Sequence, residues 1–205
     1  MQNGYGVWPQ ITTGFLNTVN DADIASRVAG AIRSRFAGQL GKRFTITSEE
    51  ALSLSSTLAL RLFEGTYQYV KFVTAVARGE ICAWSLNGAT VPGIKNYEVT
   101  DTIAIATEGS VAGIALGTVT AGNYGFIQTQ GLASVQFRAS VTSTVDGSLV
   151  LQLTTTNTAD AIADATGSYI SGGALGLKNI IGRCQGAPAN GAISLVNLFG
   201  IPQVY

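Results

Sequence analysis

From Ala133 to Val141, apolar and polar residues alternate without interruption. Ala133, Val135, Phe137, Ala139 and Val141 fall on one side, and Ser134, Gln136, Arg138, Ser140 and Thr142 on the other. Period two predicts a strand with one wet face. Just upstream, Tyr124–Gln130 reads as a strand ending at Gly131. Val111–Val119 is apolar on both sides, with Ala112, Gly113, Ala115 and Gly117 set among Val, Ile and Leu. Thr120-Ala121-Gly122-Asn123 is the turn between these runs, because Gly and Asn accept positive φ at little steric cost. This stretch contains no His, Cys, Asp or Glu, so it reads as packing rather than chemistry.

The same β signal runs along most of the chain. Tyr67–Val76 is aromatic and β-branched, Arg78-Gly79-Glu80 turns into Ile81–Leu86, and Asn87-Gly88 is a strong turn signal. A strand over Tyr97–Ala106 is followed by a turn at Glu108-Gly109-Ser110. Asp146-Gly147 separates Val141–Val145 from Ser148–Thr155, and 157–176 is a small, polar loop or weakly formed element. Leu177–Gln185 and Ile193–Phe199 close the chain as strands. Strands at such spacing, broken by turns, predict a mainly β fold, an antiparallel sandwich or barrel.

The first third reads differently. Residues 1–20 form an arm in which Tyr5, Val7, Trp8, Ile11, Phe15 and Leu16 are interrupted by Gly4, Gly6, Pro9 and Gly14; so apolar a segment must dock on something. One amphipathic helix follows, capped around Asn20–Asp23, with Ile24, Val28, Ile32 and Phe36 at helical spacing and an end at Gly38 or Gly41. Arg27, Arg33, Arg35, Lys42 and Arg43 form the chain's one basic cluster, with no acid between Asp23 and Glu49. It is either a solvated face or a contact for an acidic protein surface. Thr47-Ser48-Glu49-Glu50 matches a helix capping box. Leu52, Leu54, Leu58, Leu60 and Leu62 nevertheless alternate with polar or small residues, so 51–63 is read as a strand, with a short helix as the alternative. The division is thus 1–65, arm, helix and linking segment, and 66–205, β domain.

Composition sharpens the picture. The chain has 205 residues, enough for a substantial core, and only 12% are charged, with zero formal net charge. Residues 1–107 carry nine basic and eight acidic residues and 108–205 only three and four, as expected for strands covered by partners. Zero net charge argues against nucleic acid as a partner, and no apolar run is long enough to cross a membrane. The N-terminus lacks the pattern of a signal peptide, which points to synthesis in the cytoplasm and to Cys82 and Cys184 as buried free thiols rather than a disulfide.

Candidate chemistry is sparse. With no His, the commonest general base, metal ligand and triad partner is missing. There is no G-x-S-x-G elbow, P-loop or dinucleotide fingerprint. Asp160 and Asp164 lack the ligand density of a calcium loop, and Glu49 and Glu50 are better helix-start residues than a catalytic pair. The expectation is a non-enzyme without cofactor or metal.

The segment GIALGTVTAGNYGFIQTQGLASVQF, through Gly113, Ala115, Gly122, Tyr124, Gly125, Phe126, Gln128, Gly131, Ala133 and Val135, resembles small proteins encoded beside the major capsid gene of tailed bacteriophages. Ile180-Ile181-Gly182-Arg183 resembles their closing strand, and Tyr69-Val70-Lys71 with Ala77–Ile81 their opening strands. The similarity covers about Thr66–Val204. It implies a capsid decoration (cement) or head fibre protein, β-rich and homotrimeric, on the virion surface with the major capsid protein as partner. Under that reading Trp8, Phe15, Arg27, Arg33, Arg35, Lys42 and Arg43 are the capsid or subunit contacts. A fibre domain binding a host receptor or glycan is the alternative, with Tyr97, Tyr124 and Tyr169 as its candidates.

Overall fold

The computed structural model describes residues 40–41, 43–49, 51–52, 62–85, 97–101, 106–141, 143–152, 158–162 and 180–200. They form a mainly β fold of ten strands: β1 (Arg43–Ile46), β2 (Gly65–Phe72), β3 (Ile81–Ser85), β4 (Glu98–Thr100), β5 (Ala106–Ala115), β6 (Tyr124–Gln136), β7 (Leu149–Gln152), β8 (Ala159–Ile162), β9 (Ile180–Cys184) and β10 (Ile193–Leu198).

Their pairing makes two rings that share β6. In the first, β2 runs antiparallel to β6 from Gly65 opposite Gly131 to Lys71 opposite Tyr124. On its other edge β2 pairs with β1, then in parallel with β4, Phe72 opposite Val99. β4 pairs with β3, β3 with β5, and β5 returns to β6 at Ile114–Gln128 and Ala115–Ile127. Every strand of this ring fills its interior: Val70 and Phe72, Cys82 and Trp84, Val99, Ala112 and Ala115, and Ile127 form one buried cluster. Closure also removes the open strand edges that invite mispairing.

Beyond Gly131, β6 takes β10 as its partner, from Leu198 opposite Gly131 to Ile193 opposite Gln136. β10 pairs with β9, β9 with β7 and β7 with β8. A bridge between Phe137 and Ala159 brings β8 back to the end of β6, with the Arg138 N–H donating to the Ala159 carbonyl at 3.1 Å. Ala133, Val135, Phe137, Val150, Ala159, Ile181, Cys184, Val196 and Leu198 fill the second core. Ile81, Val111 and Ile114 from the first ring join that cluster, so β3 and β5 form a wall buried on both sides. This is why Val111–Ala115 lacks a polar face.

The shared strand depends on a local device. Thr66 lies opposite Gln130 but Tyr67 opposite Gln128, leaving Thr129 as the extra residue of a β-bulge. The buried Gln128 side chain donates to the carbonyls of Gln130 at 3.2 Å and Leu132 at 2.8 Å, and the Thr129 hydroxyl donates to that of Thr66 at 3.2 Å. Gly131 sits at φ +92°, its α-carbon against the Gly65 backbone. A Cβ there would lie 2.9 Å from the Gly65 α-carbon and collide with the Glu64 carbonyl oxygen.

Several local expectations are corrected. Gly131 does not end a strand; its positive φ serves a bulge inside β6. Glu108-Gly109-Ser110 lies within β5 rather than in a turn. The predicted alternation holds through Phe137 and then stops: Ala139 is exposed, and 141 and 143–145 form no strand because the chain turns back at Asp146-Gly147. Part of 157–176 is strand β8. At 51–63, the described residues Ala51 and Leu52 continue a helical turn from Ser48, closed by the Ala51 N–H on the Thr47 carbonyl at 2.9 Å. The capping box outweighs the leucine alternation there. A third cluster holds Ile46, Ala51 and Leu62 against Tyr67, Tyr69 and Phe126 on the outer side of β2 and β6.

Gly131→Ala is expected to lower stability by roughly 2–5 kcal/mol, combining left-handed strain with overpacking. Gly122→Ala, at φ +83° in open space, should cost about 1 kcal/mol. Urea denaturation of both variants decides; equal losses would show that the close approach at Gly131 is unimportant.

Candidate interaction surface

Of the residues the sequence nominates for capsid or subunit contact, the structure describes one. Arg43 is exposed on β1 at the margin of the first ring, in a strand rather than on the basic helix face. Trp8, Phe15, Arg27, Arg33, Arg35 and Lys42 lie outside the described residues, as do Tyr169, Asn87-Gly88, Glu50 and Asp164. Tyr97 and Tyr124, two of the three tyrosines nominated for a receptor, pack against buried clusters. Tyr124 stacks on Tyr69 with centroids 6.1 Å apart, with the Lys71 ammonium 5.9 Å from its ring. Lys71 in turn pairs with Glu98 at 3.8 Å. Tyr97, at φ +49°, packs edge-on to Trp84 at 6.5 Å and its ring occupies the space a Cβ on Gly41 would need.

The surface that stands out lies where Gly65 meets Gly131. A groove of about 750 Å³ opens between the helical turn and the rim of the second ring. Ala51, Leu62 and Leu132 give it an apolar floor, and Leu52, 76% exposed, stands on its edge. Glu64, Asp146 and Arg183 bring charge to it. A second groove of about 700 Å³ shares Ser48, Glu64 and Gly131 and adds Ile46 and Glu49. Local bonds hold these groups. The Ser48 hydroxyl donates to Glu64, the Gly186 N–H to Asp146 Oδ1 at 2.7 Å, and Arg183 Nη1 to the Gly147 carbonyl at 3.1 Å. Exposed Val145 is the neighbour of Asp146, and Phe199 extends from β10.

Sequence reasoning missed this groove. Asp146 reads as a turn residue and Glu64 belongs to no motif; only the fold brings Ser48, Ala51 and Leu52 beside Arg183 and Gln185.

Both cysteines are free and buried, as expected, one in each core. Burial pushes the Cys82 thiol far above the ordinary range. It raises Cys184 to about 11, helped by the nearby Asp146 carboxylate. No cluster of three or more His, Cys, Asp or Glu that would hold a metal occurs among the described residues, and none of their helices is long and apolar enough to cross a membrane.

No family model matches the chain, and no curated protein matches it. Among solved structures it is similar to the N base of head fiber gp8.5 in bacteriophage phi29, at 13% identity and a TM-score of 0.41, over 67% of this chain and 98% of that one.

At pH 8 the raised value leaves Cys184 with roughly a hundredfold less thiolate than an unfolded thiol. Iodoacetamide should therefore modify it at least ~100-fold more slowly in native protein than in urea. Equal rates, read by mass spectrometry, would place the thiol outside the core. Because its folded value is raised, the stability this thiol contributes is complete below the ordinary thiol range and is lost as pH rises through about 11.

Proposed function

We propose that this chain is a structural protein of a phage virion that binds the outer surface of the capsid and stabilises the shell by bridging capsid subunits. The observation that carries the reading is the run from Gly113 to Val135, whose residues resemble those of the decoration and head fibre proteins. Those positions do structural work here. Gly113 lets β5 approach the Gln128 carbonyl, Gly125 receives the Phe72 ring, Gly131 permits the bulge, and Ala133 and Val135 line the second core. Their match therefore concerns how the chain folds.

Sparse charge and the apolar groove support an existence among partners rather than alone. The mechanism needs only added interface. Each decorating subunit that buries apolar surface across a boundary between capsid subunits opposes their separation, in proportion to the area removed from water. The role asks for no catalytic group, cofactor or metal. Trp8 and Phe15 of the apolar arm are the proposed anchors on the shell, with assembly as a homotrimer supplying several arms at once and hence avidity.

Purified protein mixed with capsids that lack it should co-sediment and give symmetric outer density by electron microscopy. A chain without residues 1–20 should lose at least ~100-fold in apparent affinity, the loss expected when linked anchors no longer act together. Absence of density with the full chain sinks the reading; undiminished binding by the shortened chain sinks the arm's part in it.

A further inference from the structure

Of the chain's Asn-Gly pairs, Asn190-Gly191 falls among the described residues. We propose that Asn190 is a latent modification site, converted from amide to acid only when its turn releases the end of β6. The reaction needs nothing but water. The Gly191 backbone nitrogen, unhindered because glycine has no Cβ, attacks Asn190 Cγ. A bond forms between them, the Cγ–Nδ2 bond breaks, and ammonia departs with the proton lost from the Gly191 nitrogen. Water then opens the cyclic imide at either carbonyl. The product is an ordinary aspartate, or an isoaspartate whose main chain runs through Cβ and Cγ. Both residues are exposed, so water is at hand and burial is no barrier.

The barrier is how the turn is fastened. The Ala192 N–H donates to the Ala189 carbonyl at 3.3 Å, and of the two central residues only Gly191 has positive φ, at +66°. That is a type II turn. It holds ψ of its first central residue at about +120° and so swings the Gly191 nitrogen away from the Asn190 side chain. The Gly191 N–H donates to the Arg138 carbonyl at 2.7 Å, and Asn190 Oδ1 accepts from the Val141 N–H at 3.1 Å. Nucleophile and target are thus tied to different points beyond the end of β6. Gln136 Nε2 donates to the Gly191 carbonyl at 3.0 Å and the Phe137 N–H to the Ala192 carbonyl at 3.0 Å. The Ser194 hydroxyl accepts from the Ala189 N–H at 3.1 Å. Closing the imide therefore requires the turn to come off β6. An isoaspartate adds a methylene to the main chain and a negative charge, so the bonds to Arg138 and Phe137 no longer match in spacing. The change would hold the turn open beside the Phe137–Ala159 closure of the second ring. The inference rests on no reading of function and is tested without capsids.

The test incubates the full-length protein at mildly alkaline pH, native and in urea, and follows Asn190 by peptide mapping and mass spectrometry. Conversion should be at least ~tenfold slower in native protein than in urea, since only the open fraction reacts. Gln136→Ala with Ser194→Ala removes two side-chain fasteners that lie outside the cores. The pair should raise the native rate about tenfold and leave the rate in urea unchanged. Slow alkylation of Cys184 in the same variant shows that the second core is intact. If Cys184 becomes reactive in the pair, Ser194→Ala alone is read, with a rise of about threefold. Equal native and urea rates in the unaltered protein overturn the proposal. So does a native rate that these substitutions leave unchanged.

Discussion

A single strand serving two closed rings has to change partners partway along, and the backbone must permit it. β6 manages this at one place. Up to Gly131 it is gripped by β2 on one edge and β5 on the other; past it, β10 takes the second edge. On the first edge the Gln136 N–H bonds the Gly79 carbonyl at 2.8 Å before β8 is reached. The handover leaves carbonyls off the ladder, and a buried polar group without a partner is expensive. Gln128 is therefore part of the fold although its side chain is polar, because it returns those hydrogen bonds from inside the protein.

This arrangement explains what could be read from residues alone. Alternation from Ala133 to Phe137 and the two-sided apolar run at Val111–Ala115 translate directly into burial, because each reflects one strand facing one or two cores. Gly131 was ambiguous in kind. A glycine at positive φ marks a turn and a bulge equally well, and only the identity of the flanking partners distinguishes them. Glu108-Gly109-Ser110 misleads for a related reason: β3 pairs with β5 before and after it, at Ala106 and at Val111, so turn-forming residues are carried through the strand. At Ser48–Leu52 two sequence rules compete, and the local hydrogen bonds of a helical turn prevail over an alternation that needs a sheet to act on. The groove was not legible at all. Its walls come from stretches more than a hundred residues apart, joined by no shared period or motif.

The chemical character of the molecule follows from the same economy. Its glycines and small residues admit close backbone approach, its thiols are sealed one in each core, and Glu64, Asp146 and Arg183 meet at one groove although they lie far apart in the chain.

The pairing of Gly65 with Gly131 also sets the order in which the chain can mature. β2 leaves the ribosome long before its antiparallel partner, and loop closure over such a distance is slow compared with local hairpin formation. Until β6 appears, the first ring is an open ribbon with hydrogen-bonding edges on offer, and the second cannot begin. At synthesis rates of about 5–20 residues per second, that exposure lasts for seconds. Crowded nascent copies would be at risk of joining through those edges, so a temporary cover over β2 and β5 would matter most in the first moments of the protein's life.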